Sequence, residues 1–137
     1  MKRTYAIALL VLAGIIGTGK ALAQDEFRVK VPFDFAVGNK VLPAGMYSIT
    51  PINGSAIEVQ NRDTSDGAVS TTSWAGKESP KNVLVFDKYN GHYFLREILC
   101  DSANMNRSLP QSKSEKRALE QEAKYPTDGG RILLALK

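Results

Sequence analysis

The 137-residue chain contains one histidine, His92, and one cysteine, Cys100. Zinc sites draw on several imidazoles or thiolates, so this inventory excludes a metal cluster built from His or Cys. A serine nucleophile would need His92 as its base and a carboxylate to orient the ring. Asp87 shares a strand-pair face with His92 but is displaced along it, and no Gly-x-Ser-x-Gly elbow occurs. A glycine-rich phosphate loop is absent as well. No catalytic residue, metal ligand or cofactor is therefore assigned. A carboxylate-dependent hydrolase drawing on Asp34, Asp87 or Glu97 stays open, because the separation of two carboxyl groups in space does not show in a sequence.

What the inventory leaves is a surface that could bind. From Asn82 to Leu99, NVLVFDKYNGHYFLREIL, two apolar runs are joined by Asn90-Gly91. That dipeptide marks a two-residue hairpin loop, since both loop residues must take φ > 0. A two-residue loop fixes the register. It predicts Tyr89 opposite His92, Lys88 opposite Tyr93, Asp87 opposite Phe94 and Phe86 opposite Leu95, then Val85 opposite Arg96, Leu84 opposite Glu97 and Val83 opposite Ile98. One face then carries Leu84, Phe86, Tyr93 and Leu95, with Lys88 and Glu97 at its margins. The other carries Val83, Val85, Phe94 and Ile98, interrupted by Asp87, Arg96 and His92. Apolar character on both faces places the hairpin inside a larger sheet.

Val85, Asp87, Tyr89, His92, Phe94 and Arg96 form the candidate binding face. A half-apolar patch with a placed charge pair is what ligand and partner surfaces look like. The competing reading makes Asp87 and Arg96 a structural ion pair beneath the terminal helix or a loop, with His92 a solvated neighbour of Tyr89. Exposure of Phe94 separates the two.

The elements that must position this face begin after a leader. Lys2 and Arg3, the apolar run Ala6 to Ile16, and Ala21-Leu22-Ala23 have the order of a secretory signal peptide, residues 1–23. The apolar run is shorter than the ~20 residues a membrane span needs. An exported protein, periplasmic or extracellular, is expected, with no transmembrane segment in the mature chain. The leader takes three of the 18 Lys and Arg with it, so the mature chain balances 15 basic residues against 14 acidic ones. That balance gives no reason to expect nucleic acid as a partner. Residues 24–137 suffice for one domain. Cys100 has no internal disulfide partner and, at the end of an apolar run, is expected to be buried.

Along the chain, Phe27 to Val37 alternates with period 2, and Pro32 makes it an edge strand or two strands broken by a bend. Leu42-Pro43-Ala44-Gly45 reads as a tight turn. Met46 to Ile52 and Ser55 to Asn61 read as strands around a second hairpin candidate, Asn53-Gly54. Ala68 to Ala75 is a Thr- and Ser-rich strand ending at Trp74, and Asp101 to Pro110 is polar and irregular. Ser112-Lys113-Ser114-Glu115 is a capping box, with Ser112 bonding the Glu115 amide and the Glu115 carboxylate reaching back. The helix it opens runs to Lys124 with a narrow apolar stripe of Ala118, Leu119 and Ala123, and Ile132 to Leu136 returns as a last strand.

Together these give a mainly β protein: an antiparallel sandwich or small barrel of about seven strands, with one C-terminal helix followed by a last strand. A membrane barrel would need more long strands and would not place a charged helix before the last one.

Three stretches, VPFDFAVGNKVLPAGMY from Val31 to Tyr47, VLVFDKYNGHYFLREI from Val83 to Ile98 and LPQSKSEKRALEQEA from Leu109 to Ala123, resemble a family of small exported soil-bacterial proteins of uncharacterised function. The Leu-Pro-Ala-Gly-x-Tyr element is also similar to a turn of prealbumin-like β-sandwiches in secreted proteins. The resemblance implies export and a β fold and carries over no catalytic residue.

The expectation is an exported, non-enzymatic β domain that binds, or serves as an envelope or surface component, with a protein or a small apolar ligand as partner. The alternatives are a carrier holding an apolar molecule in a barrel lined by Phe33, Phe35, Tyr47, Phe86 and Leu95, and the carboxylate hydrolase above.

Overall fold

The computed structural model describes residues 26–77, 81–100, 105–127 and 129–136. The expected leader, 1–23, lies outside them. The described strands are β1 Phe27–Val31, β2 Phe35–Val37, β3 Lys40–Leu42, β4 Gly45–Asn53, β5 Ala56–Asn61, β6 Gly67–Thr71, β7 Ser73–Trp74, β8 Val83–Tyr89, β9 His92–Cys100, β10 Met105–Ser108 and β11 Gly130–Ala135; the helix, α1, is Lys113–Lys124. The protein is mainly β, with curled sheets that form a half-barrel. One sheet runs β1-β4-β5-β6 and the other β11-β8-β9-β10-β7, with β2 and β3 attached to the second through β9.

Pro32 divides the long alternating run into β1, which pairs with β4, and β2, which joins the other sheet. The chain thus crosses between sheets where its backbone has no N–H to donate. The Ala68–Ala75 stretch is likewise split, with β6 on one sheet and β7 on the other. The second hairpin forms with Gly54 and Ser55 as its loop, not Asn53 and Gly54. Asn53 pairs with Ala56, and its side-chain Oδ1 accepts from the Ser55 amide at 2.8 Å. The side chain supplies the turn chemistry that a positive φ would otherwise supply. The Leu42–Gly45 turn is closed by the Tyr47 hydroxyl, which donates to the Pro43 carbonyl.

The β8–β9 hairpin is central, as expected, and its first four pairs follow the predicted register. Beyond them a bulge at Arg96 shifts the register by one. Val85 pairs with Glu97, Leu84 with Ile98 and Val83 with Leu99, which corrects the last three predicted pairs. The shift has a plain cause. An unbroken ladder would turn Glu97 into the core and Ile98 out of it, and burying an unpaired carboxylate costs more than one irregular step in a ladder. With the bulge, Leu95, Ile98 and Cys100 all face the main core. Glu97 meets Lys77 at 3.0 Å instead. The bulge also marks where β9 changes neighbours, from β2 alongside Tyr93 and Phe94 to β10 alongside Glu97 to Cys100. Strand β10 falls in the stretch read as irregular, because its residues MNRS carry no alternation to betray it.

The main core joins both sheets, and Tyr47, Phe35 and Phe86 are its largest fully buried side chains. Phe35 meets Tyr47 and Phe86 edge-on, with ring centroids 5.0 and 5.5 Å apart. Phe33 meets Phe86 edge-on at 5.1 Å and stacks on Tyr93 at 3.9 Å. The five side chains named as a carrier lining therefore pack into this core, four of them buried and Phe33 against its edge.

Candidate functional site

Helix α1 lies over the outer face of the second sheet and is fixed there at three points. Ser112 caps its start, accepting from the Glu115 amide at 3.2 Å. Within this first turn the Ser114 amide and hydroxyl both donate to the Asn39 side-chain oxygen, Oδ1, at 3.4 and 3.3 Å. Near its end, Glu122 accepts from the Asn90 amide at 2.8 Å, and the Asn90 side chain donates to Gln121 at 2.7 Å. Between these, Glu115 is ion-paired with Arg96. The expected capping box is half made, because the Glu115 carboxylate turns to Arg96 rather than back to the helix start.

Arg96 is the hub beneath the helix. Its guanidinium donates to Asp87 at 3.1 Å, to the Leu109 carbonyl at 3.0 Å and to Glu115. Its own carbonyl accepts from the Leu109 amide at 2.8 Å. Arg131 of β11 reaches the other oxygen of Asp87 at 3.0 Å. Burial pushes the Glu115 carboxyl up from its ordinary pKa, against the opposing pull of Arg96. Burial would by itself lower Arg96, but the neighbouring carboxylates hold it above its usual value. Tyr89 is pushed up by burial and then by the charges of Asp87 and Glu115.

The six sequence-predicted residues divide accordingly. Val85 and Asp87 are buried, Tyr89 is half-buried, and Arg96 is held in the ion network. Phe94 is only 5% exposed, packed with Ala36 and Ala118 and with Tyr89 against them. Asp87 and Arg96 are thus the ion pair beneath the helix. The helix rests on Glu115 and Ala118, while Leu119 and Ala123, expected in its buried stripe, are exposed.

Beside this covered area a half-open groove of about 610 Å³ remains, and His92 and Phe94 line it. Its floor is the shared outer face of three strands. The parallel register sets Ala36 beside Phe94, Val41 lies opposite Ala36 on β3, and Asp34, just before β2, lines the groove with His92. Its wall is the helix flank bearing Ser114, Arg117 and Gln121, and Asn39 and Asn90 stand at its ends. The groove exists because its floor and wall meet at Ala36 and Ala118, side chains too small to fill it. The sequence contains one trace of this arrangement, the shared helical face of positions 114, 117, 118 and 121. That this face would look onto β2 and β3 is a long-range fact with no local signal.

The groove gathers His92, Asp34 and Ser114 but assembles no relay from them. The Ser114 hydroxyl donates to Asn39, and Asp34 accepts from the Ala44 amide at 2.9 Å. The three carboxylates considered for hydrolysis are separately engaged: Asp87 with two arginines, Glu97 with Lys77 and Asp34 with Ala44. Among the described residues no group of three or more His, Cys, Asp or Glu is placed to hold a metal ion. No described helix is long and apolar enough to cross a membrane.

Comparison with family models, curated proteins and solved structures finds no match to this chain. The site's chemistry therefore rests on its own geometry.

Proposed function

We propose that this protein is an exported, non-enzymatic β domain that works by binding, and that its ligand occupies the groove between α1 and the β9-β2-β3 face. The observation that carries this is the groove itself. Its volume of about 610 Å³ falls within the range of ligand clefts. Its walls are held from three sides by the helix anchors at Asn39, Arg96 and Asn90. A site fixed in this way needs little ordering when a ligand enters. Mixed lining favours a small ligand with polar groups over the wholly apolar one expected from the sequence. Export is supported by the order of charges, apolar residues and small residues in 1–23, and the family of small exported proteins remains the kinship we propose.

Native mass spectrometry of protein recovered from the periplasm and medium of the producing cell tests this reading. The wild type is expected to carry a small-molecule adduct that the groove-filling variant Ala118→Leu and the exposed-wall variant Arg117→Glu both lack, with circular dichroism confirming that the helix is retained. Identical adducts on all three proteins, or none on any, would contradict it.

A further inference from the structure

Resting on the reading of the groove as a ligand site, we propose that it takes a small zwitterion: an amino acid or short peptide with both its ammonium and its carboxylate free. Two charged groups in its lining are of opposite sign and come from different parts of the chain, Asp34 just before β2 and Arg117 on the helix wall. Among the described residues neither meets a counter-charge: Asp34 accepts there from the Ala44 amide, and Arg117 has no partner. The ion pairs under the helix, by contrast, are closed on one another: Arg96 and Arg131 with Asp87, and Arg96 with Glu115.

A ligand of one sign would meet one favourable and one unfavourable charge here. A zwitterion meets two favourable ones, and its register in the groove is fixed by them. The amide side chains at the rim extend the match. Asn39 and Gln121 use their carbonyl oxygens on Ser114 and Asn90, which leaves N–H donors, while Asn90 uses its N–H and keeps an acceptor. Donors and acceptors side by side are what a peptide bond pairs with. Where floor and wall meet, the lining of Ala36, Phe94 and Ala118 is apolar, the surface against which an aliphatic side chain of the ligand would rest.

Titration calorimetry with amide-shift mapping tests this on the purified protein, using tri-L-alanine, its N-acetyl form, its C-terminal amide and neutral maltotriose. Tri-L-alanine is expected to bind and to shift Gly91, His92 and Ser114, and each blocked form to bind about tenfold or more weakly. Asp34→Asn should weaken tri-L-alanine while adding no further loss for the acetylated peptide, and Arg117→Gln should do the same with respect to the amide. Equal binding of free and blocked peptides, or tighter binding of maltotriose at the same residues, would overturn the zwitterion and leave the groove as a site for another ligand. No peptide shift at those residues would also overturn it, and the adduct comparison above then decides the groove separately.

Discussion

The Arg96 side chain that a β-bulge turns out of the β8–β9 ladder is the one that holds the Glu115 carboxylate of the terminal helix. Glu115 is 2% exposed. The residue left unpaired at the bulge is thus also the one that docks α1 and holds the groove's wall. Among the described residues, replacing Arg96 by Met leaves Asp87 with Arg131 alone and Glu115 with no cation, and the expected loss is about 3 kcal/mol. Urea unfolding should show a lower midpoint with unchanged slope. A second substitution, Glu115→Leu, removes the stranded charge and should recover part of that loss.

Acid titration should separate two helix carboxylates by sign. Burial raises the Glu115 pKa, so the folded protein binds that proton more tightly than the unfolded chain does. Its contribution is fully present below the unfolded carboxyl pKa and is lost as pH rises through the raised folded value. Glu122 is lowered, first by the Thr127 hydroxyl and then by the Thr127 and Asn90 amides. Its contribution is present above the unfolded pKa and is lost as pH falls through the lowered one. Stability measured from neutral pH downward should therefore fall more steeply in Glu115→Gln than in wild type, and less steeply in Glu122→Gln.

Alkaline titration reads the Leu-Pro-Ala-Gly-x-Tyr turn. Tyr47 is fully buried, and burial raises its phenol above the ordinary value. Its stabilisation is whole below about pH 10, the unfolded phenol's pKa, and is lost as pH rises through the folded one. Tyr47→Phe forfeits the hydrogen bond to Pro43, about 1 kcal/mol at neutral pH. The stability gap between variant and wild type should then narrow in denaturation curves taken at rising pH.

The two hairpin loops should respond differently to one substitution. Gly91 has φ +78°, whereas Gly54 does not occupy the left-handed region and has open space around its Cβ position. Gly91→Ala is expected to cost about 1 kcal/mol, and Gly54→Ala a few tenths at most, by thermal or urea unfolding.

Much of the frame was legible because its signals are local. Asn90-Gly91 fixed four cross-strand pairs, Pro32 broke the first strand, and Ser112 placed the helix start. The register beyond Leu95 was not legible, since a bulge is decided by which side chains the finished core can accept. Strand β10 was missed because MNRS shows no period, and its pairing depends on β9. The candidate face was half found. His92 and Phe94 do line the groove, but Asp34 and Asn39 come to it through a parallel β2–β9 contact between residues nearly 60 positions apart, and Ser114 and Arg117 through the docking of α1 on Arg96 and Asn90. Nothing in local periodicity encodes that contact.

Binding through the groove beside α1 is tested most directly by amide-shift mapping with a library of small fragments of mixed chemistry, which needs no knowledge of the natural ligand. Shifts clustered on Asn39, Gly91, His92, Ser114 and Gln121 are expected. Shifts scattered over the surface, or clustered at the β11 edge around exposed Leu133, would contradict it.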